Sequence, residues 1–216
     1  MPLLRVYLFL IVLAVCSVQS LYANHTADSA LRLLVFGDSL SAGYGLKPEE
    51  SFPAQLEEAL DAVGYNVRVI NAGVSGDTTA GGLSRLEWAL ADKPHIVLVE
   101  LGGNDALRGL SPAKAYANLE SILAQLEKKG VSVILAGMQA PRNLGNDYTE
   151  EFNAIYPRLA EKYAVTFYPF FLEGVALDPA LNQSDGIHPN SAGVREIVRR
   201  ILPLLKSELN KISPGH

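Results

Sequence analysis

Residues 33–45 read LLVFGDSLSAGYG. A run of four large apolar side chains, Leu33 to Phe36, breaks abruptly into the small and polar residues Gly37, Asp38 and Ser39. Such a run is short enough for a strand buried on both faces, and its break marks the carboxyl end of that strand. A serine just beyond it faces a crevice while the backbone behind it turns toward a helix N-terminus. The same residue types serve as a turn or a helix cap, and they also present a nucleophile. The rest of the chain decides between these readings.

Short β-branched or aliphatic runs of the same kind recur, separated by longer helical patterns. Strands are expected at Leu31 to Phe36, Val67 to Asn71, Ile96 to Leu101, Ser132 to Ala136 and Val165 to Tyr168, each apolar enough to be covered from two sides. Helices are expected near Pro53 to Val63, Thr78 to Leu90, Pro112 to Lys129 and Tyr148 to Tyr163. A final helix repeats Val194, Ile197, Val198, Ile201, Leu202 and Leu205 at three- and four-residue spacing behind Ser191 as N-cap. Pro203 predicts a kink or an early end to it. Gly64, Pro94 and Gly130 stop helices before strands. This alternation predicts an α/β fold, a three-layer α/β/α sandwich with a five-stranded parallel sheet, whose ligands bind beyond the carboxyl ends of the strands.

The chain has 216 residues, of which 49% are apolar, and carries a formal charge of −5. That length suits one domain with a substantial core. The acidic balance, with no Lys/Arg cluster, excludes a phosphate-backbone binder, so nucleic acid is not an expected partner. Residues 1–23 read as a secretory signal peptide: Arg5 precedes the apolar run Val6 to Val15, and Ser20 and Ala23 stand at cleavage-like positions. The run falls short of the about 20 apolar residues that span a bilayer; retention as an uncleaved anchor stays open. Cys16 follows the bulky Val15, which argues against lipoprotein processing. Residues 24–216 then form a single domain without cysteine, held by packing alone in an oxidising compartment. A secreted or periplasmic location, no membrane span after processing and a monomer are expected.

Two further strand ends carry small-residue loops, AGVSGDTT after the second strand and GGNDALRG after the third. Gly76 offers a backbone N–H and Asn104 a side-chain amide, the donors that hold a developing oxyanion. Taken singly, each is equally at home as a turn glycine or a loop asparagine. Before the last helix, SDGIHPN places Asp185 near His188, close enough for the carboxylate to fix the imidazole tautomer and aim Nε2 at a serine. His188 also fits a helix-cap role. Of the other histidines, His25 lies near the cleavage site, His95 beside a strand start and His216 at the terminus, so His188 is the one placed to act as a base.

Four ordered blocks, FGDSLSAGYG, NAGVSGDTTAGGLSRL, ELGGNDALRG and DGIHPN, resemble those of the SGNH hydrolases, also called the GDSL esterase and lipase family. The resemblance is closest to a bacterial periplasmic branch of acyl-CoA thioesterases, lysophospholipases and arylesterases, and it runs from Leu31 to about Leu205. It implies a flavodoxin-like SGNH fold and hydrolysis of small-molecule carboxylic esters and thioesters through an acyl-enzyme, including aryl esters, acyl-CoA or lysophospholipid. Ser39 would be the nucleophile, Asp185 and His188 the acid and base, and Ser39, Gly76 and Asn104 the oxyanion hole. Ala106 departs from the glycine that relatives carry, which predicts a stiffer loop after Asn104. The segment MQAPRNLGNDYTEEF is expected to border the acyl site, with Pro141 and Leu144 open to contact or to core and turn roles.

Asp38, Asp77 and Asp105 read as capping and loop acids, since neither zinc-ligand spacing nor an EF-hand accompanies them; no metal or cofactor is expected. The chain has no G-x-S-x-G elbow, no P-loop and no G-x-G-x-x-G after a strand. Two alternatives keep the same crevice: a carbohydrate acetylesterase and a non-catalytic acyl-ligand binding module.

Overall fold

The computed structural model describes residues 30–212. The leader read in residues 1–23, the domain start at residue 24, His25 and His216 lie outside them. Five strands form one sheet: β1 (Leu31–Gly37), β2 (Val67–Asn71), β3 (Ile96–Glu100), β4 (Ser132–Ala136) and β5 (Thr166–Tyr168). Their order is β2-β1-β3-β4-β5. β1 pairs in parallel with β3, β3 with β4 and β4 with β5, in a register that sets Leu33 beside Ile96 and Gly37 beside Glu100.

The apolar runs explain which strands are central. Leu33 to Phe36 and Ile96 to Val99 are wholly inaccessible to solvent, as expected for strands covered on both faces. Each such side chain contributes about 1.5–3 kcal/mol of burial free energy. β2 and β5 differ from the sequence expectation: Arg68 and Asn71 are exposed and β5 is only half-buried throughout, because both strands are edges of the sheet.

Among the described residues eight α-helices follow in chain order: α1 (Ser39–Ala42), α2 (Phe52–Asp61), α3 (Thr79–Ala89), α4 (Gly103–Leu107), α5 (Pro112–Lys128), α6 (Asn146–Asn153), α7 (Ile155–Tyr163) and α8 (Ser191–Ile212). α2 packs on α8, while α3, α5 and α7 form a second row, which completes the sandwich. Three helical expectations are corrected. The stretch Tyr148 to Tyr163 is two helices, α6 and α7, because Pro157 in the first turn of α7 has no N–H with which to continue the ladder. α8 neither breaks nor ends at Pro203 and runs to Ile212; Pro203 is on the exposed side, where water can take the carbonyl it leaves unbonded. The cap of α8 is Asn190, not Ser191: Asn190 Oδ1 accepts from the N–H groups of Ala192 and Gly193 at 2.9 and 3.0 Å, and Ser191 is the first helical residue.

The strand order reverses between β1 and β3, since the chain leaves β1 toward β2 and returns past it to β3. In open α/β sheets such a switch point is where ligands bind, at the carboxyl ends of these two strands. α1 follows β1 there, and α4 follows β3. Among the described residues no helix is long and apolar enough to cross a membrane.

Candidate active site

Ser39 is the first residue of α1, and only 9% of its surface is exposed. Asp38 caps the helix, its Oδ1 accepting from Leu40 N–H at 3.0 Å. This cap holds the turn so that the Ser39 side chain leaves the end of the sheet. Ser39 Oγ lies 3.0 Å from His188 Nε2, and His188 Nδ1 lies 2.7 Å from Asp185 Oδ2. A carboxylate can only accept, so the Nδ1 position carries the proton and Nε2 accepts from the serine hydroxyl.

The loop that brings His188 across 149 residues is built locally. Asp185 Oδ1 accepts from the N–H groups of Ile187 and His188 at 2.9 and 3.0 Å, folding the segment back on its own carboxylate. The His188 backbone N–H, the imidazole and the Ile187 N–H together pull the Asp185 carboxyl down to about 2. Gln183 ties this loop to the serine turn: its Nε2 donates to Tyr44 O at 2.8 Å and to Pro189 O at 3.0 Å. The Tyr44 ring lies over His188, with centroids 4.6 Å apart.

Asn104, in the first turn of α4, reaches the serine turn from β3. Its Nδ2 donates to Asp38 Oδ2 at 2.9 Å, which uses one of the two amide N–H bonds and sets the plane of the other. Burial lifts the Asp38 carboxyl to about 6, opposed by the donors Leu40 N–H and Asn104. Gly76 arrives on the loop after β2, which lies against β1 through Val74 N–H to Gly37 O at 3.1 Å. Any side chain at Gly73 would collide with the backbone of Ala42, so glycine is what lets that loop approach α1. Arg108 Nη2 donates to Gly76 O at 2.8 Å, linking the Gly76 loop to the end of α4.

The structure thus joins Ser39, His188 and Asp185 by direct hydrogen bonds, reaches Asn104 through Asp38, and brings Gly76 to the Asn104 loop. The other two acids hold neighbouring loops. Asp77 pairs with Arg85 at 2.6 Å, and Asp105 accepts from Thr79 N–H and Oγ1 at 2.8 and 2.7 Å. Ala106 is buried within α4. Leu144 approaches Gly109, and Tyr148 donates to Leu110 O at 2.8 Å, so this part of the segment from Met138 lies against the turn that follows α4. His95 lies at the far end of the sheet, where Nδ1 accepts from Arg32 N–H at 2.9 Å.

Sequence reasoning missed Tyr44, Gln183 and Arg85. Arg85 donates to Gly37 O and Ala72 O and stacks over Phe36 at 4.3 Å, fastening the ends of β1 and β2 together. A lone arginine in a helix of small and apolar residues was its available signal.

Comparison with known proteins adds an independent line. Residues 35–196 match the GDSL-like lipase/acylhydrolase family. Esterase TesA of Pseudomonas aeruginosa is 44% identical over 179 residues, covering 82% of this chain and 89% of that protein. Thioesterase 1/protease 1/lysophospholipase L1 of Escherichia coli is 44% identical over 165 residues, covering 76% and 78%. The crystal structure of the psychrotrophic esterase EstA from Pseudoalteromonas, inhibited by monoethylphosphonate, superposes with a TM-score of 0.79 at 33% identity, covering 83% of this chain and 98% of that one.

Proposed function

The chain belongs to the GDSL-like lipase/acylhydrolase family, and on that premise we propose that Ser39, His188 and Asp185 carry its carboxylic ester hydrolysis through an acyl-enzyme. The observation that supports this most directly is the unbroken relay of 3.0 and 2.7 Å from Ser39 Oγ through the imidazole to Asp185. As Oγ attacks the ester carbonyl, its proton moves to His188 Nε2, and Asp185, ionised across the working range, steadies the imidazolium. The tetrahedral oxyanion is held by the N–H groups of Ser39 and Gly76 and by the Asn104 amide. His188 then passes its proton to the leaving alcohol or thiol. Water attacks the acyl-enzyme with the same base, and the acid leaves as Oγ regains its proton.

The substrate class extends to aryl esters and thioesters, as the names of an arylesterase of Vibrio mimicus, 45% identical over 164 residues, and of the Escherichia coli thioesterase indicate for those proteins. Every group in the relay comes from one chain, so a single chain suffices for the chemistry. The leader pattern of residues 1–23 supports export to a secreted or periplasmic location. Hydrolysis of p-nitrophenyl butyrate by the wild type, abolished in Ser39→Ala and His188→Ala, is the expected result. Binding of p-nitrophenyl butyrate by the wild type without hydrolysis would replace the enzyme reading with that of a binding module.

A further inference from the structure

β3 is apolar from Ile96 to Val99 and ends in Glu100, whose side chain has no exposure to solvent. A carboxyl in that position demands an explanation, because the interior penalises any polar group that lacks a partner. Its register partner on β1 is Gly37, directly before the Asp38–Ser39 turn. A Cβ on Gly37 would collide with both Glu100 Oε2 and Ser41 Oγ, so this glycine leaves the space the carboxyl occupies. Glu100 Oε2 accepts from Ser41 Oγ at 2.6 Å and from Asp38 N–H at 3.3 Å. These two donors stand one residue before and two residues after Ser39. Asp38, gripped in this way, in turn holds Leu40 N–H and the Asn104 amide.

We propose that Glu100 is a positioning residue of the ester-hydrolysis site, whose buried carboxyl pins the serine turn from below and so orients the Ser39 N–H and, through Asp38, the Asn104 amide toward the oxyanion. This rests on the assignment of Ser39 as nucleophile. Burial foremost, and then the neighbouring Asp38 carboxylate, push the Glu100 carboxyl well above its usual range. The Ser41 hydroxyl and the Asp38 N–H oppose that rise, and the other polar groups around the pair are engaged elsewhere. Tyr156 donates its phenol to Leu101 O, and the Arg85 guanidinium is committed to Asp77 and to the carbonyls of Gly37 and Ala72. Oε2 accepts twice, and Oε1 has no hydrogen-bond partner among the described residues.

A neutral acid is mimicked by an amide, whose oxygen accepts the same two bonds, so Glu100→Gln is expected to keep kcat within about threefold of wild type. Glu100→Ala frees the turn, and a displacement of the oxyanion donors by about 1 Å costs on the order of 10²-fold in kcat. KM should stay nearly constant, because the loss falls on the transition state rather than on ground-state binding. Ser41→Ala removes the shorter bond without emptying the Glu100 site, and a loss of about tenfold in kcat is expected. Steady-state hydrolysis of p-nitrophenyl butyrate and the rate of phosphonylation by a fluorophosphonate are measured together, with melting temperature recorded for each variant. Both rates should fall in parallel in Glu100→Ala and recover in Glu100→Gln. A wild-type kcat in folded Glu100→Ala, a Glu100→Gln as slow as the alanine variant, or, should Glu100→Ala not fold, a wild-type kcat in Ser41→Ala overturns the proposal. Absence of phosphonylation at Ser39 in the wild type instead overturns the nucleophile assignment beneath it.

Discussion

Replacing Asn104 by alanine separates two tasks of one side chain, the proposed oxyanion contact and the hydrogen bond to Asp38. The amide is assigned to the oxyanion, and losing one such donor in a partly desolvated site costs about 10² to 10³ in kcat, or about 2.7–4 kcal/mol of transition-state stabilisation. The same amide donates to Asp38 Oδ2 at 2.9 Å, and Asp38 is almost fully buried. Stripping a donor from a buried acceptor costs about 1–3 kcal/mol of stability. The variant should therefore melt lower than wild type while staying folded at assay temperature, and its Asp38 carboxyl, already raised to about 6, should rise further. The assay is p-nitrophenyl butyrate hydrolysis at pH 8, combined with a stopped-flow measurement of acylation. Both acylation and deacylation pass through an oxyanion, so both rates should fall while KM changes by less than about threefold. A folded Asn104→Ala with kcat within about fivefold of wild type would refute the oxyanion role, since no donor of that kind is worth so little.

Two further perturbations test the supports of the site. Asp38 has a carboxyl raised from 3.8 to about 6 by burial, so between those values the folded protein holds a proton that the unfolded chain has released. The stabilisation it brings is full below about pH 3.8 and lost as pH rises through about 6, on the order of 2–3 kcal/mol. Asn at this position cannot ionise, so the melting temperature of Asp38→Asn minus that of wild type should increase from pH 4 to pH 7; a pH-independent difference contradicts this. Arg85 is mostly buried and bonds Asp77, Ala72 O and Gly37 O. Arg85→Ala leaves Asp77 unpaired and is expected to cost about 3–5 kcal/mol in urea unfolding with an unchanged slope; a cost below about 1 kcal/mol would mean that the β1 and β2 ends hold themselves.

The sandwich was legible because its signals are local. A strand covered on both faces must be a short apolar run, and Leu33–Phe36 and Ile96–Val99 are that pattern without interruption. Edge position is not local: nothing within Val67–Asn71 says that its far side lacks a neighbour. Pro157 marked the split between α6 and α7, yet the apolar spacing through Tyr148 to Tyr163 looks continuous when the missing N–H is overlooked. Asp185 and His188 could be paired from their three-residue separation, whereas their meeting with Ser39 depended on the switch-point rule and on the resemblance of four separated blocks. Gln183 to Tyr44 and Glu100 to Ser41 span 139 and 59 residues. Such contacts exist only once the sheet order is known. Glu100 did leave a trace, a charge closing an otherwise apolar strand, and its register beside Gly37 gives that trace its meaning.

In the proposed mechanism Ser39 Oγ, activated by His188, becomes covalently bonded to the acyl group. Intact-mass analysis and peptide mapping after exposure to a fluorophosphonate test it directly. One adduct is expected on the wild-type protein, located on Ser39, with none on Ser39→Ala and greatly slowed labelling of His188→Ala. An adduct mapped to a different residue in the wild type, or undiminished labelling of Ser39→Ala, would contradict it.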